Sequence, residues 1–238
     1  MAAGSLQVLP EGWGSALAIV AHPDDLEYGA ASAIAKWTSS GKAVTYVLAT
    51  RGEAGLAIAP ALAGPLREAE ERASAALVGV STVEFLDHRD GVVENSLALR
   101  RDLSRVIRRY RPDVVIGTNF RDTWGGPSFN MADHRHVGLA TLDAIRDAAN
   151  PWIFPELVDE GHSPWAGVTM ACFGGSPQAT HFVDVTGWLD RGIESLEAHR
   201  AYLEHVNTNA RTMLTEFAES AGFSACVEHA ALFEVIQP

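Results

Sequence analysis

The chain is poor in cysteine, short of positive charge and free of any long apolar run. Each shortage removes a class of protein. Two cysteines, Cys172 and Cys226, in 238 residues make no disulfide framework. Both read as reduced, mostly buried thiols. The formal net charge of -12 argues against a nucleic-acid backbone or an anionic membrane surface as the main partner. A phosphorylated small molecule stays open, because a local arginine cluster can overrule the net charge. No stretch approaches the ~20 apolar residues that span a bilayer. Residues 1–14 lack the basic start and apolar run of a secretory signal. The expectation is a soluble cytoplasmic protein with one domain over 1–238, of which 1–14 is a frayed leader. Self-association is compatible with it.

What is present is ordinary globular composition, 47% hydrophobic and 20% charged, with length enough for a large α/β core. Ala16–Val20 and Ala43–Ala49 read as strands, apolar enough to be covered on both faces. Short strands are also expected at Val83–Leu86, Asp113–Gly117, Val168–Phe173, His181–Val185 and Leu232–Ile236. Helices are expected over Gly29–Ser39, Pro65–Leu77 with Pro65 in its first turn, and from Ser96 as cap to Tyr110. Asp133 would cap the next, from His134 to about Asp147. One amphipathic helix would run from Trp188 to about Thr208, with another to Ala221. The Ala/Pro/Gly-rich stretch Leu56–Gly64 reads as a flexible loop or lid. The alternation predicts a Rossmann-like α/β fold. It would be a mostly parallel sheet with helices on both faces and a smaller C-terminal strand/helix extension. There is no Gly-x-Gly-x-x-Gly run after the first strand, so a dinucleotide site is disfavoured.

The chemistry gathers at strand ends. Ala21-His22-Pro23-Asp24-Asp25-Leu26-Glu27 follows the first strand, where ligands bind in open α/β sheets. His22 and Asp25 lie three apart on a turn that Pro23 stiffens, and a borderline-soft divalent metal accepts imidazole nitrogen beside carboxylate oxygen. With Asp25 on the metal, Asp24 is free to act as a base toward metal-bound water. The best source of a third ligand is the helix start Asp133-His134-Arg135-His136. His134 and His136 point different ways on a helix, so one metal would take only one of them. The two halves meet if the fourth strand neighbours the first.

Four segments together resemble the PIG-L/LmbE-type N-acetylglucosaminyl deacetylases. They are Ala21–Glu27, Thr50-Arg51-Gly52-Glu53-Ala54-Gly55, Arg67-Glu68-Ala69-Glu70 and Asp133-His134-Arg135-His136-Val137-Gly138. The resemblance implies Zn2+ held by His22, Asp25 and His134, with Asp24 as general base. It implies hydrolysis of the N-acyl group, usually acetyl, of a small glucosamine-containing molecule. It makes Glu27 an outer residue orienting a ligand or the loop. It places Arg67 and Arg51-Gly52-Glu53 on the sugar or leaving-group side. Asp87 and Asn119 suit sugar hydroxyls, and an arginine fork suits a phosphate or carboxylate. One position departs from the family. Met131 stands where its usual helper histidine precedes the zinc ligand, and methionine can neither stabilise an oxyanion nor protonate an amine. His136, His162 and His181 are candidate replacements. Two alternatives follow: an amidase for longer-chain or non-sugar amides, and a catalytically weakened sugar-binding member. Trp124, Phe129, Trp152 and Trp165 sit in loops, where they could wall a pocket or anchor the loops. Trp188 reads as core.

Overall fold

A computed structural model of the chain describes residues 6–238. Among the described residues eight strands form one sheet. In chain order they are β1 (Gln7–Val8), β2 (Ser15–Val20), β3 (Ala43–Leu48), β4 (Thr82–Phe85), β5 (Val114–Thr118), β6 (Met170–Gly174), β7 (His181–Asp184) and β8 (Ala230–Ile236). The helices are α1 (Ala31–Ser39), α2 (Pro60–Leu77), α3 (Leu97–Tyr110), α4 (Ala132–Ala149), α5 (Glu156–Asp159), α6 (Leu189–Glu197), α7 (Arg200–Val206) and α8 (Ala210–Ala225). Across the sheet the order is β1-β7-β8-β6-β5-β2-β3-β4. Every neighbouring pair is parallel except those that β8 makes with β6 and β7. The fold is therefore the expected mostly parallel α/β sheet. Its C-terminal strands extend that sheet.

Alternation along the strands builds two cores. Ala16, Ala18 and Val20 of β2 join Val114 and Ile116 of β5 on one face, under α1. Leu17, Ile19 and Val115 face the other way, toward α3 and α4. Leu99, Leu103, Val106 and Ile107 of α3 are fully buried there, each contributing about 1.5–3 kcal/mol. Ser96 caps α3 by accepting from the Leu99 amide. The chain runs β2, β3, β4 to one side and returns across β2 to β5, so a crevice opens beyond the carboxyl ends of β2 and β5.

Helix α4 must sit accurately over that crevice. The buried Arg108 guanidinium donates to the carbonyls of Asp147, Ala148, Asn150, Ile153 and Phe154, and so closes the α4 C-terminus. Arg100 grips Asp147 with two 2.9 Å bonds. At Gly138 α4 presses against Phe120, where a Cβ would collide.

Several boundaries differ from expectation. Of the leader, residues 1–5 lie outside the described residues. Gln7 and Val8 pair with β7, and Leu9 and Trp13 are buried, so the segment after residue 5 belongs to the sheet. The proposed lid is partly helix: α2 begins at Pro60, because Pro60 takes the first-turn role and the alanines around it favour helix. Pro65 lies inside that helix at the cost of one bond. Asp133 is no cap; α4 starts at Ala132 and the Asp133 carboxylate is used elsewhere. The Trp188–Thr208 helix is broken at Ala198-His199, which turns the His199 ring into the interior. Cys226 is exposed and only Cys172 is buried; both are free. Among the described residues no helix is long and apolar enough to cross a membrane.

Candidate active site

The turn after β2 is tight and strained. Asp24 adopts φ +86, a region that residues with a Cβ avoid at a cost of order 1 kcal/mol. Three contacts hold it. The Asp24 amide donates to Glu71 Oε2 at 3.1 Å, and Arg67 donates to the Pro23 carbonyl at 2.5 Å and to Asp24 Oδ2 at 2.7 Å. Both Glu71 and Arg67 come from α2 and are buried. Gly55 has no side chain because a Cβ there would strike the Arg67 guanidinium. The Arg67 guanidinium also stacks on the Tyr202 ring at 4.2 Å.

Asp25 folds back on its own turn. Its Oδ2 accepts the amides of Ala21 and His22 at 3.0 and 2.9 Å. Its Oδ1 lies 2.9 Å from His134 Nε2, and His22 Nδ1 lies 3.2 Å from that same nitrogen. His22, Asp25 and His134 thus meet, all buried, at the floor of a cavity of about 630 Å3.

The outer partners decide which ring nitrogens carry protons. His22 Nε2 faces two carboxylates, Asp133 and Asp90, each at 3.1 Å, so it is the N–H and Nδ1 keeps its electron pair. Asn130 Nδ2 donates to the carbonyls of Asn119 and Arg121, which makes its Oδ1 an acceptor. That oxygen lies 2.9 Å from His134 Nδ1, leaving the Nε2 pair free. Two imidazole electron pairs and a carboxylate oxygen therefore converge. That set of acceptors calls for a cation or a hydrogen-bond donor, and nitrogen and oxygen atoms of this kind suit a divalent metal.

The charges respond accordingly. Burial opposes a charged His22, but bonds from Asp133, Asp25 and Asp90 outweigh it and raise its pKa well above the ordinary value. Burial opposes the Asp25 carboxylate, yet His134 and His22 pull it well below the usual range. Burial pushes Asp24 up to about 7 despite the Arg67 charge.

Some expected site residues lie elsewhere. Arg67 lines the cavity; Arg51 does not, since it binds Asp87 at 2.9 Å and the Leu86 carbonyl at 3.1 Å. Asp87 is exposed at the surface. Glu53 accepts the Asp90 amide and so supports the loop that brings Asp90 to His22. Asn119 is buried and folds its own loop through Arg121 and Thr123. His136 bonds the Val93 carbonyl, His162 follows α5 and His181 lies in β7; none lines the cavity. Met131 does line it. Of the loop aromatics only Trp124 reaches the cavity, edge-on to His134 at 5.7 Å. Phe129 and Trp152 are exposed, and Trp165 packs on the second core. Trp188 packs against the first core. Glu27 also lines the cavity, but its Oε1 accepts from Ser74 at 2.7 Å and it bonds none of His22, Asp25 and His134. Asp90, Glu71, His199, Tyr28 and Tyr202 were not singled out from the sequence. Asp90 and Tyr28 carry a signal, the one in a loop that follows a strand and the other next after the His22–Glu27 turn; Glu71, His199 and Tyr202 carry none.

Comparison with known proteins identifies the family and the fold. Residues 17–145 match the family described as PIG-L: GlcNAc-PI de-N-acetylase. A diacetylchitobiose deacetylase of Thermococcus kodakarensis is 29% identical over 78% of this chain and 68% of its own length. A probable N-acetyl-alpha-D-glucosaminyl L-malate deacetylase 2 of Bacillus anthracis is 30% identical over 77% of this chain and 79% of its own. The chain spans about half the length, 52%, of a Streptomyces scabiei 1D-myo-inositol 2-acetamido-2-deoxy-alpha-D-glucopyranoside deacetylase that is 31% identical to it. Among solved structures, the N,N'-diacetylchitobiose deacetylase of Pyrococcus horikoshii superposes with a TM-score of 0.85 at 23% identity, over 95% of this chain and 85% of that one. A 4-carboxy-2-hydroxymuconate hydratase of Pseudomonas putida superposes at 0.78 and 22% identity, over 94% and 97%, so the fold alone does not choose the reaction. The family match over more than half the chain, laid on a buried His-Asp-His cluster at the switch point of the sheet, means that this protein belongs to the PIG-L de-N-acetylase family.

Proposed function

We propose that the protein is a Zn2+-dependent N-deacylase that hydrolyses the amide of a glucosamine-containing small molecule. The observation that carries this is the convergence of the His22 and His134 electron pairs with the Asp25 carboxylate beside the strained Asp24 turn. Zn2+ bound by those three residues supplies Lewis acidity, acidifying water and polarising the amide carbonyl. Asp24 takes the proton of the attacking water. Arg67 fixes its Oδ2, so the carboxylate keeps one orientation while it does so. As the acyl carbon gains the water oxygen and the C–N bond breaks, Asp24 returns the proton to the amine nitrogen. A pKa raised to about 7 by burial suits a group that must accept and then donate. Met131 supplies nothing to this exchange. Burial keeps the phenols of Tyr28 and Tyr202 protonated on the same wall, where they can donate to substrate oxygens.

The relatives named above act, by their descriptions, on acetylated glucosamine compounds, which favours that substrate class. The test is a panel of N-acetyl amino sugars offered to chelated protein after Zn2+ is restored, reading released acetate and free amine. Asp24→Asn should retain Zn2+ and lose turnover by roughly 10²–10⁴-fold. A zinc-loaded wild type that releases amine from no member of the panel sinks the reading.

A further inference from the structure

The cavity has two ends of opposite character. At one lie His22, Asp24, Asp25, Arg67, Asp90 and His134. From there it passes Tyr28, next after the His22–Glu27 turn, and Ser32 of α1, into an arm between α8, α6 and the strands β7 and β8. Beyond Tyr28 and Ser32 the arm has no hydrogen-bonding side chain; Val185, Leu189, Leu214, Ala218, Ala221 and Leu232 are typical of its wall.

The arm exists because of how α8 is attached. Near its N-terminus Ala210 and Leu214 pack with Ile193 and Leu196. Near its C-terminus Ala221 packs with Phe182 and Ala230. Leu214, Ala218 and Ala221 share one helix face, at steps of four and three. Between the two small clusters α8 turns Phe217 and Ala218 to the cavity; Phe217 is more than half exposed, at 55%, and Ala218 alone is buried there, so no large buried side chain closes the gap. A well-packed interior would put one there.

We propose that this arm holds the acyl chain of the amide, and that the preferred substrate carries a linear acyl group longer than acetyl. The inference rests on the amide-hydrolase reading above. An N-acyl amino sugar divides at its carbonyl into a hydroxylated ring and a hydrocarbon chain, and the cavity likewise joins a polar end, which holds the His-Asp-His cluster, to an apolar arm. Ring hydroxyls find partners at the polar end, and burying them in the arm would leave them unpaired. Methylenes gain from the arm by leaving water. Hydrolysis then adds water across the C–N bond, giving the long-chain carboxylate and the free amino sugar.

The experiment is a chain-length series, N-acetyl through N-butyryl, N-hexanoyl, N-octanoyl and N-decanoyl glucosamine, offered to the Zn2+-loaded protein with glucosamine release as the readout. The expected result is kcat/KM rising about fourfold per methylene, until the arm is filled. Ala218→Phe should lower the octanoyl-to-acetyl ratio of kcat/KM at least about tenfold, and Ala221→Leu should lower it less. A wild-type series that is flat or falls with length, while acetyl is still hydrolysed, overturns the assignment and spares the enzyme reading. Release from no member overturns both. A gain from an octyl aglycone on N-acetylglucosamine, with none from the acyl chain, puts the chain on the wrong side and overturns it. So does an Ala218→Phe protein whose ratio is unchanged but whose solution mass falls, which would give the arm to a second copy.

Discussion

Among the described residues are two buried clusters of histidine and carboxylate that both draw on the turn after β2, Asp25 in one and Glu27 in the other, and they are built oppositely. In His22-Asp25-His134 each ring has an acceptor behind it, from Asp133 and Asp90 or from Asn130, so its forward electron pair is committed to the cavity. In Glu27-Glu71-His199 neither nitrogen of His199 has a partner; its Nε2 stands 3.6 Å from Glu71 and 3.9 Å from Glu27. That second cluster is sealed, with His199 and Glu71 at 0% and 1% exposure, and Glu71 is spent on the Asp24 amide. Spacing alone does not distinguish the two, since both fit within 4.8 Å. What separates them is the outer layer, which fixes tautomers in one and is missing in the other. The sealed cluster reads as the support that holds Asp24 in its strained turn.

The sharpest way to break this contrast is to delete one histidine from each. His134→Ala should lose bound metal and turnover together, by more than the roughly 100-fold that loss of an outer partner costs. His199→Ala should keep its metal stoichiometry and instead lose about 2 kcal/mol of stability, from a cavity and stranded carboxylates. Metal analysis after dialysis and denaturant titration separate the two; equal metal loss in both proteins would erase the distinction.

A smaller effect tests the outer layer. Asp133→Asn keeps the shape but removes the charge that orients His22 and accepts the Gly91 and Val93 amides. Metal affinity measured by chelator competition should fall about 10–100-fold. Unchanged affinity would mean that His22 needs no fixed tautomer.

The smallest effect concerns pH and the sealed cluster. Burial, and then the Glu27 charge, raise the Glu71 pKa well above 4.5. A carboxyl raised in the folded state is favoured as the neutral acid. Its contribution is complete below the unfolded pKa and is lost as pH rises toward the folded one. Thermal melts of wild type should therefore decline from weakly acidic toward alkaline pH. Glu71→Gln stays neutral and can still accept from the Asp24 amide, so its decline should be shallower. Parallel melting curves for the two proteins would show Glu71 ionised without cost.

Local pattern made part of this legible. Near-continuous apolar runs in Ala16–Val20 and Ala43–Ala49 announce strands buried on both faces, and Ser96 announces its helix. The His22-to-Asp25 spacing is a property of one turn, so it reads directly from the chain. The errors share a cause: the deciding contact was distant. Asp133 looks like a cap because its neighbours do, until His22, 111 residues away, claims its carboxylate. Arg51 looks like a substrate arginine until Asp87 and Leu86 occupy it. His199 sits in a stretch periodic enough to be one helix, and only burial against Glu71 gives the break its purpose.

On its own, then, the sequence determined the parallel α/β architecture and the chemistry of the first turn, because both depend on residues within a few positions of one another. The sheet order decided the rest. By setting β5 beside β2 it brought the α4 histidine to that turn, chose Asp90 and Asn130 to hold the rings, and left the gap beside Ala218. Those relations join residues far apart in the chain, and only packing in three dimensions can make them.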